Sequence, residues 1–173
     1  MSFIGAGHQG QTYAPGWFLA NNEDCSRFTK TIPQSLATTA ADGTKYVKMG
    51  TVFPANDGTA IGIVYEDVDV TTGAMPGSVV TKGEVYEDRL PEAVDTYSSA
   101  TVPSGGNPKT LGLYERSGSS PNYVYTLTTD TTAADGKTYY SYDGKKIASA
   151  AKTALIALGF TFVGAEPAVI RPY

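Results

Sequence analysis

The 173 residues include a single cysteine, a single histidine and a single tryptophan. Cys25 alone rules out an intrachain disulfide framework and any multi-cysteine metal site. His8 is the only imidazole, so Ser–His, Cys–His or His–metal chemistry would all rest on one residue in a glycine-rich stretch. Nothing around Cys25 or His8 resembles a nucleophile motif. Charge is sparse too, at 17% of residues, with a net charge of −4. Lys145-Lys146 is the only close basic pair, so the clustered cations that neutralise nucleic-acid phosphates are missing. No apolar run approaches a membrane span, and the N-terminus lacks the basic region and apolar core of a signal peptide. The chain is therefore expected to be made in the cytoplasm and to leave it only inside a larger particle. Phosphate-binding glycine loops, metal-binding histidine clusters and the nucleophile elbow are absent. An enzyme is the least supported class, and neither a cofactor nor a metal is expected.

Turn formers and β-formers are abundant: 19 Gly, 10 Pro and 12 Tyr, with 41% hydrophobic residues. Short strands joined by many turns follow from that composition. Residues 1–44 have glycines at 5, 7, 10 and 16 and aromatic anchors at Trp17, Phe18 and Phe28. Two readings stand for them: an extended arm ordered by a neighbour, or a loop-rich N-terminus packed on its own domain. Asp42-Gly43 is a strong turn signal. Lys45–Phe53 reads as a strand pair or a kinked strand broken at Gly50.

Residues 60–91 repeat themselves. Gly62-Ile-Val-Tyr-Glu-Asp67 returns as Gly83-Glu-Val-Tyr-Glu-Asp88. The arrangement suggests a two-stranded antiparallel unit, with residues 71–77 as its connecting loop. The inward set changes parity between Tyr65 and Val68, which calls for a bulge or bend. The second copy is apolar on both faces, so it should be covered on both sides. Glu66, Asp67, Asp69, Glu87 and Asp88 form the one dense acid cluster. Such carboxylates can bind calcium or run acid–base chemistry, but the EF-hand spacing is absent. The simpler use is structural, at strand ends and subunit contacts.

In order, Thr51–Val70, Pro76-Gly-Ser-Val-Val80 and Gly83-Glu-Val-Tyr-Glu-Asp-Arg-Leu-Pro91 resemble the small head-decoration, or head-stabilising, proteins of tailed bacteriophages. Ala150-Ala-Lys-Thr-Ala-Leu155 followed by Gly159-Phe-Thr-Phe-Val163 is similar to that family's alanine-rich helix and Phe-containing strand. The resemblance covers about residues 45–94 and 147–164. It implies a late-binding protein on the outer face of a capsid, in the virion, commonly a homotrimer where major capsid protein subunits meet. It brings no catalytic residues. Candidate contacts with the capsid or a sister subunit are Trp17, Phe18, Phe28, Tyr65, Asp67, Asp69, Tyr86, Asp88 and Arg89.

Some fifty residues depart from the compact family pattern. Lys109–Glu115, Tyr123–Thr129 and Lys137–Tyr142 read as three strands, with Arg116–Asn122 a flexible loop. This module resembles a cassette in structural proteins of phages of Gram-positive hosts. Tyr114, Tyr123, Tyr125, Tyr139, Tyr140 and Tyr142 are candidates for contact with a host-surface glycan; the alternative is a spacer with aromatic cross-strand pairs. The one helix is expected over Lys145–Leu158, capped by Asp143, with Ile147, Ala151, Ala154, Leu155 and Leu158 inward and Gly159 as its stop. In the extended tail, Val169, Ile170 and Tyr173 are expected to pack on a neighbour.

The expected fold is mainly β with one short C-terminal helix: a compact barrel- or sandwich-like core at 45–95 and 145–173, a three-stranded insertion at 96–144, and the arm at 1–44. Other classes remain: a tail-tube or fibre component, and a carbohydrate-binding module.

Overall fold

The computed structural model describes residues 14–164. His8 and the tail residues Val169, Ile170 and Tyr173 lie outside the described residues. The strands are β1 Ser26–Ile32, β2 Thr38–Thr39, β3 Lys45–Val47, β4 Val52–Phe53, β5 Gly62–Val64, β6 Val68–Asp69, β7 Met75–Tyr86, β8 Val94–Ala100, β9 Tyr114–Ser119, β10 Asn122–Leu127, β11 Tyr139–Lys146 and β12 Phe160–Val163. The helix α1 spans Ser149–Ala157. The fold is mainly β with one short helix, as expected, but among the described residues no sheet closes into a barrel. The chain divides into two compact units. One runs up to Val94 and resumes at Lys146; the other is Asp95–Lys145.

The first unit is organised by β7. Its N-terminal part pairs antiparallel with β1 and β5, and its C-terminal part pairs parallel with β12. The two copies of the repeat therefore do not pair with each other. Ile63 and Val64 of the first copy face Val80 and Val79, whereas Gly83–Tyr86 of the second faces Phe160–Val163. Met75-Pro-Gly77, expected in a loop, already belongs to β7, because it pairs with Lys30–Ile32.

Adjacent residues on these strands feed two cores on opposite faces. Val52, Ile63 and Val80 join Phe18, Leu19, Val85, Leu90, Ala151, Leu155 and Phe160. Phe53, Val64 and Val79 join Ile32, Val47, Val68 and Val70. Apolar groups on both faces thus meet a partner on each side. Gly62 is required where β5 lies beside β7, since a Cβ there would lie 2.3 Å from the Val80 carbonyl oxygen. The parity change after Tyr65 is a change of sheet. The chain leaves the five-stranded sheet after Val64 and joins the three-stranded β2-β3-β6 sheet at Val68.

The segment expected as an arm is not extended and free after Gly16. Phe18 and Leu19 enter the first core, Leu19 bridges Val85, and β1 forms an edge of the main sheet. Their apolar side chains find cover within the unit itself. The helix starts later than its pattern suggests. Asp143 lies within β11, its Oδ1 accepting from the Ser98 hydroxyl at 3.0 Å, so it caps nothing. Asn56 Oδ1 instead accepts the Ala148 N–H at the helix entrance. Ala151 and Leu155 are fully buried, whereas Leu158 lies past the last turn and is exposed. Gly159 stops the helix with a φ of 99°, its N–H donating to Ile156 O.

The second unit is a four-stranded sheet, β10-β9-β11-β8, where three strands were expected. Residues 116–119, expected in a flexible loop, continue β9 because every residue of β9 has a partner in β10. The turn shrinks to Ser120-Pro121. Gly118, with a φ of 83°, would place a Cβ 2.5 Å from the Asn122 carbonyl oxygen. Residues 108–112 form turns rather than a strand.

Candidate functional site

The doubled motif grips the N-terminal segment through backbone hydrogen bonds from both copies. Gly16 N–H donates to Tyr65 O, and Tyr86 N–H donates to Phe18 O. Each tyrosine also carries an arginine on its ring. The Arg27 guanidinium stands 4.2 Å from the Tyr65 centroid, and that of Arg89 stands 4.2 Å from the Tyr86 centroid. Arg89 also lies 4.5 Å from the Trp17 ring and donates to Trp17 O at 2.8 Å. Trp17, Arg89 and Tyr86 are therefore one stack of half-buried side chains, held by cation–π attraction and a charge-assisted hydrogen bond.

The acid cluster of the sequence disperses into separate structural tasks. Asp67 Oδ1 accepts from Met49 N–H, and Asp69 Oδ1 from Thr71 N–H at 2.8 Å. The Thr71 hydroxyl and amide hold the Asp69 carboxyl below the usual carboxylate range. Glu87 is only 8% exposed; its Oε1 accepts the Ile147 N–H at 3.0 Å and its Oε2 pairs with Lys152. It thus ties the second copy to the approach of the helix. Asp88 is exposed. No group of three or more metal-ligating side chains occurs among the described residues. Glu92, which sequence reasoning passed over, accepts the Val52 N–H at 2.9 Å, and burial pushes its carboxyl up.

Of the other candidate contacts, Phe18 is 1% exposed and belongs to the core, so it cannot reach a partner surface. Phe28 is 61% exposed on the edge strand β1. Tyr65 is half-buried, its hydroxyl 3.1 Å from Asn22 Oδ1.

The tyrosines of the second unit form a network around one that the sequence reading missed. Tyr97 on β8 stacks on Tyr125 with centroids 3.9 Å apart and meets Tyr114 edge-on at 5.1 Å and Tyr142 at 5.4 Å. Its only advance signal was the β-forming neighbourhood of Val94 and Thr96. Tyr139 and Tyr140 are buried, so they are unavailable to a glycan. The Tyr139 hydroxyl donates to Asp130 Oδ2 at 2.6 Å, and Tyr140 packs edge-on against Tyr125. Tyr123 is exposed beneath Arg116, 4.3 Å from its ring. Lys137 Nζ bridges Asp130 Oδ2 at 2.7 Å and Glu115 Oε1 at 2.9 Å, while Thr128 donates to the same Glu115 oxygen. These contacts hold Asp130 and Glu115 below the usual carboxylate range: Lys137 and Tyr139 act on Asp130, and Thr128 and then Lys137 on Glu115.

Among the described residues no helix is long and apolar enough to cross a membrane. No family model matches the chain, and neither a curated protein nor a solved structure matches it.

Proposed function

We propose that this chain is a non-catalytic structural protein of a phage particle, one that binds the outer surface of the capsid and braces the shell. It acts as a homotrimer seated between major capsid protein subunits.

The observation that carries this reading is that the two separated stretches resembling head-decoration proteins form one framework. Gly83–Tyr86 from the first stretch pairs in register with Phe160–Val163 from the second, and both contribute to one core with Ala151 and Leu155. A shared ancestral fold would require that union. The surface chemistry fits an interaction protein. Edge strand β1 carries the exposed Phe28, and backbone groups on an open edge are a ready template for pairing. The Trp17–Arg89–Tyr86 stack adds the aromatic and arginine side chains favoured at interface centres.

The test is co-sedimentation of the purified chain with expanded capsids and with unexpanded procapsids, followed by a heat challenge. Binding to expanded capsids alone, with greater heat resistance of the decorated particles, is the expected result. Failure to bind any capsid form would reject the proposal, and a hexameric ring in solution would favour a tail tube.

A further inference from the structure

The tyrosine network of the second unit has two ends of different character. At one end a cation is already in place: Arg116 lies 4.3 Å from the Tyr123 ring and 5.0 Å from that of Tyr140. At the other, Tyr97, Tyr114 and Tyr142 pack against one another, and Asp95 Oδ1 accepts the Tyr142 hydroxyl at 2.9 Å. Among the described residues no lysine or arginine lies over these three rings, and no basic side chain pairs with Asp95.

The three centroids are 5.1, 5.4 and 6.5 Å apart, and the rings are inclined to one another by 66°, 55° and 47°. A cation seated about 4 Å above the plane of the centroids falls within the roughly 6 Å reach of a cation–π contact to all three. The phenol hydrogen bond to Asp95 enriches the Tyr142 ring, and the carboxylate supplies a full negative charge beside it. Tyr97 and Tyr142 are both held above the usual phenol range, Tyr97 first by burial and then by Asp95, Tyr142 first by its bond to Asp95. The Asp95 carboxylate makes that corner locally negative.

We propose that the corner built by Tyr97, Tyr114, Tyr142 and Asp95 is a binding site for a small quaternary ammonium compound of the choline type. Charge complementarity requires a cation. Tyr142 is 46% exposed and the other two rings are half-buried, so the site cannot strip water from a compact ammonium. A methylated ammonium arrives weakly hydrated and presents methyl groups to the rings.

The full-length chain is titrated with choline, with methylammonium and with the uncharged isostere 3,3-dimethylbutan-1-ol, while the tyrosine ring resonances are followed by NMR. Saturable shifts confined to Tyr97, Tyr114, Tyr125 and Tyr142 are expected for choline, with both comparison compounds at least about fivefold weaker. Asp95→Asn and Tyr142→Leu, both at exposed positions, should each weaken choline binding about threefold to tenfold while the remaining tyrosine resonances keep their dispersion. Absence of saturation up to about 50 mM overturns the proposal. Equal binding of the isostere or of methylammonium, or an unchanged affinity in Asp95→Asn, overturns it as well.

Discussion

The two units of this chain solve the problem of cohesion with different side chains. The first buries aliphatic groups completely: Ile63, Val64, Val79, Val80 and Leu155 are all 0% exposed. Of the described residues between 95 and 145, only Pro108, Leu113, Thr128, Tyr139 and Tyr140 are buried. That unit relies on half-exposed tyrosines packed edge and face, and on the Lys137–Asp130–Glu115 bridge. Aliphatic burial carries no titrating group and is not screened, whereas ion pairs near the surface respond to pH and are screened by salt. The first unit therefore suits a permanent scaffold. The second leaves aromatic and charged groups at its surface.

Substitutions can break this contrast in order of decreasing effect. Leu155→Ala removes a fully buried leucine and should cost about 2–5 kcal/mol. Trp17, the only tryptophan, reports the loss through the urea midpoint of its fluorescence. Glu87→Ala leaves the Ile147 N–H and Lys152 without this acceptor and should cost about 2–3 kcal/mol, read as a lower midpoint of the same signal. Lys137→Met acts on the other unit. It should lower the midpoint of the near-ultraviolet tyrosine signal, to which the stacked Tyr97 and Tyr125 contribute, and leave the Trp17 midpoint in place.

Legibility followed the same divide. Where burial dictates the pattern, the sequence was plain: the doubly apolar second copy and the parity change after Tyr65. The stop at Gly159 was legible from backbone conformation, and the Tyr123–Leu127 alternation from β-forming residues on a largely exposed strand. Strands β1 and β8, and β9 beyond Glu115, escaped because their residues are mostly exposed and polar, as in Ser-Gly-Ser of β9. Cross-strand pairing rather than hydrophobic period made them strands. The helix start was misplaced because Ile147 keeps helical spacing with Ala151 while reaching the core from the end of β11. The arginine stacks and the Lys137 bridge join residues far apart in the chain or across a turn, and no local pattern announces them. The carboxylate pairs were visible, but their separate duties depended on which backbone amides folding brought to them.

The most direct test of the contrast is urea unfolding from about pH 6 to about pH 3, followed at once by Trp17 fluorescence and by the tyrosine signal. Urea is uncharged and does not itself screen the ion pairs. In the second unit the carboxyls of Asp130 and Glu115 are both held low. The stability they contribute is complete above the ordinary carboxylate range and is lost as pH falls toward their lowered values. In the first unit Asp57 and Asp69, held low by Thr59 and Thr71, act in the same direction. Glu92, raised by burial, opposes them, because it favours the folded state more once protonated. The account predicts that acid moves the tyrosine midpoint to lower urea by clearly more than the Trp17 midpoint. Parallel movement of the two midpoints, or a larger shift for Trp17, would contradict it.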